Sequence, residues 1–358
     1  MSVLAVIVMG LALVLAHTLR GANGGFRLVH IGAFALSLAV TALVIRFFAS
    51  ENGIERRSDY DRFVLHGLNL AEASNAPLWV FVGASYSRNA IDDDGLTARL
   101  QERGRHVRVI NLSLQGASLQ ERRAHLEAFL ARTPRPPERV FLEVAPEFDA
   151  DPVYVFQVAK FSDRAIDQFT PRNTARATKD ILARQCGGLV ACAKAAAFTG
   201  SHGLMNAFNI GLLYSGERLE GMEPEAAWDA QTEPREELSE KQRTEISSPA
   251  RGLALATQEA LREPHAWGAA YREEWVAELE AADIQVGFYF PPVLDPGKRA
   301  YGRGLCQREP YRPCIIADDP ELLAALDGEV WFDPGHLLVP GADSYLDWLA
   351  DRLVEARP

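Results

Sequence analysis

Positive charge is scarce in this chain of 358 residues: 37 lysines and arginines stand against 48 acids, a formal net charge of −11 at pH 7. That balance offers nothing to a phosphate backbone or an anionic membrane surface, which argues against nucleic-acid binding. Cysteine is equally sparse, with four in all. None forms the tight C-x-x-C spacing of a zinc site and none has histidines nearby, so no metal and no cofactor is expected. The four fall instead into two local pairs, Cys186 with Cys192 and Cys306 with Cys314. Two small-loop disulfides in an oxidising compartment suit that pattern, four free thiols being the alternative.

Acids and lysines are missing from the first fifty residues, where two apolar runs stand out. Val3–Leu19 is apolar apart from His17, and Ile31–Phe48 carries the single charge Arg46. Each comes close to the roughly 20 residues a helix needs to cross the hydrocarbon core. No charged residue precedes the first run and no small-x-small site follows it, which disfavours a cleaved signal peptide. The expectation is two transmembrane helices. Their joining loop holds Arg20 and Arg27 without an acid and belongs in the cytoplasm; Arg56 and Arg57 weaken that orientation without reversing it. Residues 1–50 are thus read as a membrane anchor and 51–77 as a polar, mostly helical neck with Phe63, Leu65, Leu68 and Leu70 on its apolar face. Residues 78–358 form a domain on the extracytoplasmic, periplasmic side.

Within that domain, short apolar runs alternate with helical periodicity. Leu78–Gly83, Val107–Leu112, Arg139–Val144, Ile284–Phe290 and Glu329–Phe332 read as strands. Asp94–Glu102, Leu119–Ala131, Ala266–Ala282, Pro320–Leu326 and Ala342–Glu355 read as helices, the last with an inward stripe of Tyr345, Leu346, Leu349 and Leu353. This alternation predicts an α/β fold with a central parallel sheet. It breaks at about 150–265, a helical and loop insertion that includes the strongly charged, partly mobile stretch Gly216–Arg251. No internal repeat is present.

In open parallel sheets ligands bind beyond the carboxyl ends of the strands, so the residues following each strand matter most. After the first comes Gly83-Ala84-Ser85, where a glycine lets the chain turn and Ser85 opens a helix at the rim. A nucleophile there gains from helix-terminal N–H groups; an ordinary capping serine has the same local pattern. After the second strand, Asn111 to Ser118 contains Gly116, whose N–H can join that of Ser85 in stabilising an oxyanion. The bland alternative is a helix-starting glycine with Ser118 as cap. After the last strand comes Asp333-Pro334-Gly335-His336, a turn in which a carboxylate can hold an imidazole that accepts the serine proton. A plain polar turn would look the same.

Taken together and in order, these three blocks resemble the SGNH hydrolase superfamily. Gly83-Ala84-Ser85 matches its G-D-S nucleophile turn, Asn111 to Ser118 its oxyanion-glycine block, and Asp333 to His336 its D-x-x-H block. The resemblance covers residues 78–150 and 280–358. It implies a flavodoxin-like three-layer SGNH fold and a catalytic set of Ser85, Asp333 and His336, with Ser85 and Gly116 as oxyanion donors. Two departures stand out. Ala84 replaces the usual aspartate, and the G-x-N-D block after the third strand is absent, with Glu147 near its place. Either two donors suffice, or Asn89 or the insertion supplies a third. The membrane-anchored branch, which includes alginate O-acetylation and D-alanyl-lipoteichoic acid transfer proteins, is the most similar. It implies an O-acyltransferase acting on an exported polysaccharide or other surface polymer beside a multispanning acyltransferase or export partner. An esterase or deacetylase, and a non-catalytic scaffold of an export complex, are the alternatives.

Other groups are assigned no role. Asp92-Asp93-Asp94 reads as a solvated helix start, Glu147, Asp149 and Asp151 as a solvated loop, and Tyr154, Phe156, Phe161 and Phe169 as core or cover. His202 and His265 have no evident function.

Overall fold

A computed structural model of the protein describes residues 59–144, 163–183, 188–207, 223–233, 266–308, 311, 313–327 and 330–356, together with Ser37, Val40, Val44 and Phe47. Five strands form one parallel sheet: β1 (Leu78–Val82), β2 (Arg108–Asn111), β3 (Arg139–Glu143), β4 (Gln285–Phe290) and β5 (Cys314–Ile316), in the order β2-β1-β3-β4-β5. This is the doubly wound order in which the winding reverses beside β1, between β1 and β3. Because side chains alternate across a strand, the central strands feed two cores. Val80, Val82, Val140, Leu142, Phe288 and Phe290 enter one, and Trp79, Phe81, Phe141 and Tyr289 enter the other. Burial on both faces explains why these strands read as continuous apolar runs.

Helices cover each face. On the first lie α1 (Asp59–Ala73), α4 (Leu119–Leu130), α8 (Ala266–Ala281) and α9 (Pro296–Cys306). On the second lie α3 (Asp93–Glu102), α10 (Pro320–Ala325) and α11 (Val339–Glu355), whose Tyr345, Leu346, Leu349 and Leu353 are buried as the periodicity predicted. A short helix, α2 (Ser85–Ala90), follows β1 directly. The insertion contributes α5 (Asp163–Asp167) and the pair α6 (Pro171–Leu182) and α7 (Leu189–Ala207), with no strand among its described residues.

Several expectations need correction. On the neck helix Phe63 and Leu68 are buried as expected, together with Val64 and Ala71, whereas Leu65 and Leu70 of the expected apolar face are only half-buried. The fifth strand of the sheet is Cys314–Ile316, not Glu329–Phe332. A three-residue strand, set between Pro313 and the Asp318-Asp319-Pro320 turn with Ala317 alone to spare, was too short to register. The run near 330 instead forms β6 (Trp331–Asp333), which pairs antiparallel with β7 (His336–Leu337) in a separate hairpin. Within the charged stretch 216–251, residues 223–233 are a strap pinned to the domain. Glu225 N–H donates to the Arg62 carbonyl, Asp229 N–H to that of Arg88, and Val339 N–H to that of Gln231.

Cys306 and Cys314 form the expected disulfide, and Cys192 is also disulfide-bonded; its expected partner Cys186 lies outside the described residues. Among the described residues no helix is long and apolar enough to cross a membrane. The two expected spanning segments, 3–19 and 31–48, lie outside the described residues except for Ser37, Val40, Val44 and Phe47, which are helical and exposed.

Candidate active site

The carboxyl end of β1 runs into Gly83, Ala84 and then α2, with Ser85 as its first helical residue, half-buried at the rim. Ala84 is extended and makes no side-chain cap, so its side chain covers none of the first-turn N–H groups, which have no intrahelical partners in any helix. Gly83 was expected to be needed for a sharp turn. Its backbone does not adopt a positive φ; the reason is space. A Cβ at this position would collide with Glu143 Oε2 and with Ser87 Oγ and Cβ, so only glycine lets these groups close in beneath the turn.

Below Ser85 lies a buried polar cluster that the motifs did not reveal. Glu143, the last residue of β3, has a fully buried side chain. Its Oε2 accepts from the Ala84 N–H at 2.8 Å and from the Ser87 hydroxyl, and its Oε1 faces the Arg122 guanidinium at 3.2 Å. Tyr289 donates to Ser87 Oγ at 2.6 Å. Burial and the Glu143 charge together push the Tyr289 phenol well above its ordinary pKa, so it stays a donor. A charge on a strand buried on both faces is the one sequence signal that pointed here, since such a group must find a partner.

The loop after β2 is tied to this turn. Leu112 N–H donates to the Phe81 carbonyl and Leu114 N–H to the Gly83 carbonyl at 3.1 Å. Gly116 follows with φ +61°, a left-handed conformation suited to glycine. Its N–H makes no hydrogen bond among the described residues. Asn111 serves the scaffold: its amide donates to the Ile91 carbonyl and its Oδ1 accepts from Ser113 N–H. Ser118 is the helix cap, in a reciprocal capping box with Glu121 that starts α4.

Asp333 and His336 flank the tight turn of the β6–β7 hairpin. Asp333 Oδ1 accepts from His336 Nδ1 at 2.7 Å and from the backbone N–H groups of Gly335 and His336 at 2.8 and 3.0 Å. Burial opposes ionisation of Asp333, but the His336 ring and these N–H groups outweigh it and hold the carboxyl below its usual range. An ionised Asp333 fixes the proton on Nδ1 and leaves Nε2 as the basic nitrogen.

Tyr86 and Asn89, both on α2, connect the two halves. The Tyr86 ring lies 5.3 Å from that of His336, centroid to centroid, and lies against Gly335 so closely that a Cβ there would clash. Lys298 donates to the Tyr86 hydroxyl at 2.8 Å. Asn89 accepts from Leu337 N–H at 2.5 Å and donates to the Leu337 and Asp229 carbonyls. With both amide protons engaged and the side chain buried, Asn89 is a clamp between α2 and β7. It cannot serve as the third oxyanion donor entertained from the sequence. Glu147, near the place of the absent asparagine block, lies outside the described residues, as do Asp149, Asp151, Tyr154, Phe156, Phe161 and His265. Ser85 and His336 do not hydrogen-bond to each other directly.

Of the remaining residues, Asp93 is not solvated: it is buried against His66 at 3.2 Å, and desolvation raises its pKa despite that partner. His202 stacks on Phe198 at 3.8 Å beside the buried Phe169, in the packing of α6 and α7. Among the described residues no cluster of His, Cys, Asp or Glu could hold a metal ion. No protein-family model matches the chain, and no curated protein matches it.

Proposed function

We propose that this chain is a serine-dependent acyl-transfer enzyme with an SGNH-type domain, tethered to the inner membrane by residues 1–50 and working on its extracytoplasmic side. Its acceptor is an exported polysaccharide or other surface polymer, and its acyl group comes from a multispanning membrane partner. The observation that carries the reading is the Asp333–His336 pair at 2.7 Å, packed through Tyr86 against the helix that begins with Ser85. Two pair-forming residues alone would mean little. With Ser85, and the N–H groups of Ser85 and Gly116 that make no hydrogen bond among the described residues, each chemical role has a candidate.

In the proposed reaction Ser85 Oγ attacks the acyl carbonyl while His336 Nε2 takes its proton. Asp333 keeps the imidazole in the right tautomer and stabilises the imidazolium. The N–H groups of Ser85 and Gly116 receive the oxyanion. The adduct collapses by breaking the bond from the acyl carbon to the donor's leaving oxygen or sulfur, which departs with the proton held on His336. A polymer hydroxyl then attacks the acyl-serine, giving its proton to His336, which returns it to Ser85 Oγ as the new ester is released. Ser85 and His336 close to hydrogen-bond reach when substrate enters, as such contacts often tighten only in the complex. A two-donor hole fits slow transfer to a positioned acceptor better than rapid hydrolysis.

Fluorophosphonate labelling of the full chain tests this. The expected result is one adduct on Ser85, abolished in Ser85→Ala, together with acyl-serine that partitions to an added polyol rather than to water. Robust turnover of small esters to free acid would indicate an esterase instead. No adduct on the unchanged protein would leave the scaffold reading.

A further inference from the structure

We propose that the buried Glu143–Arg122 pair is the positioning device that sets the spacing of the two oxyanion donors. This rests on the acyl-transfer reading above. One end of the pair holds the nucleophile turn, since Glu143 Oε2 accepts from the N–H of Ala84, the residue before Ser85. The other end holds the glycine loop, since Arg122 Nε donates to the carbonyl of Ala117, the residue after Gly116, at 3.3 Å. The guanidinium closes the frame by binding both the Glu143 carbonyl and Oε1, each at 3.2 Å.

Energetics favour a positional role over a merely cohesive one. Both side chains are withdrawn from water, 2% exposed for Arg122 and 0% for Glu143. Desolvating two such charges cancels much of their attraction, so well-packed apolar residues would serve stability about as well. What apolar residues could not do is grip two backbone turns at fixed distances. The need is greater here because Asn89 is committed elsewhere, which leaves the N–H groups of Ser85 and Gly116 as the oxyanion donors proposed among the described residues. Arg122 and Glu143 touch neither the acyl group nor its acceptor. They act through the turns.

The test measures the second-order rate constant and the final extent of fluorophosphonate labelling in the full-length chain. Glu143→Gln is compared with the unchanged protein, with Ser85→Ala as blank. Displaced donors should slow labelling roughly tenfold to a hundredfold while the folded protein still labels to completion. Arg122→Lys, which keeps the charge against Glu143 but loses the fork to Ala117, should slow it as well and serves if Glu143→Gln does not fold. A lower end point at an unchanged rate constant means that the pair only holds the fold together, and overturns the inference. Unchanged rate and end point overturn it too. Absence of labelling in the unchanged protein overturns the acyl-transfer reading, and this inference with it.

Discussion

Asp333 shows how a single residue's pairing can be read from sequence while its strength cannot. Its spacing to His336 announced the pair, while the three hydrogen bonds on one oxygen appear only once the β6–β7 turn is built. Because Asp333 ionises more readily folded than unfolded, it contributes stability above about pH 4, the ordinary aspartate value, and that contribution is lost as pH falls through its depressed folded value. Asp333→Asn should therefore lower stability at neutral pH and flatten the acid-side loss of stability in melting experiments. In labelling kinetics the same variant should slow modification of Ser85 on the order of a thousandfold or more near neutral pH, because the imidazole loses the anion that selects its tautomer. Equal labelling rates for the two proteins would remove Asp333 from the mechanism. Ser85, Gly116, Asp333 and His336 could be singled out as candidates because each sits in a short motif. Glu143, Arg122, Ser87 and Tyr289 were not, since their association depends on β1, β3, β4 and α4 being stacked together. No local pattern records that a glutamate on one strand faces a serine 56 residues earlier.

At the scale of elements, length decided what could be seen. β1 and β3 bury all five of their residues and β4 four of its six, and each was found within one or two residues of its ends. β5 escaped because its three residues join the sheet edge through pairing with Phe288, Tyr289 and Phe290, a tertiary fact. The hairpin of β6 and β7 was read as a sheet strand because its first residues are apolar whichever partner they take. The disulfide Cys306–Cys314 joins α9 to this edge strand across a sequence separation of 8. Closing so short a loop restricts the unfolded chain by about 2–3 kcal/mol on the loop-entropy relation. Replacing both cysteines by serine should lower stability by that amount in denaturant titration, with the transition slope little changed. A loss well under about 1 kcal/mol would mean that the Phe290–Ala317 region holds β5 unaided, through its hydrogen bond between the Ala317 N–H and the Phe290 carbonyl.

Across the whole molecule, the question is what joins the helical insertion to the sheet domain, and charge supplies the joint. Arg123 of α4, fully withdrawn from solvent, reaches Glu278 at 2.5 Å and Glu127 at 3.2 Å. Arg172 and Arg176 of the insertion reach the same Glu278 at 2.8 and 3.3 Å, and Arg176 also meets Glu274 at 3.0 Å. Exposed pairs of this kind contribute little singly. Here one carboxylate on α8 is shared by three guanidiniums from two parts of the chain. Burial disfavours ionisation of Glu278, yet Arg123 first and then Arg172 and Arg176 outweigh it and hold its carboxyl below the ordinary range. The sign follows directly: the stabilisation is complete above the unfolded glutamate value, about pH 4.3, and is lost as pH falls through the depressed folded value. Protonating Glu278 leaves Arg172 without its closest carboxylate, 2.8 Å away, whereas the apolar contacts of the sheet do not titrate. Amide hydrogen exchange should therefore show α6 losing protection at a higher pH than β1 and β3 as the protein is acidified. Glu278→Gln should reproduce that early loss at neutral pH without touching the strands. Simultaneous opening of α6 and the sheet in both experiments would show that insertion and domain are held together by packing, and that the arginine lattice follows the fold instead of joining its parts.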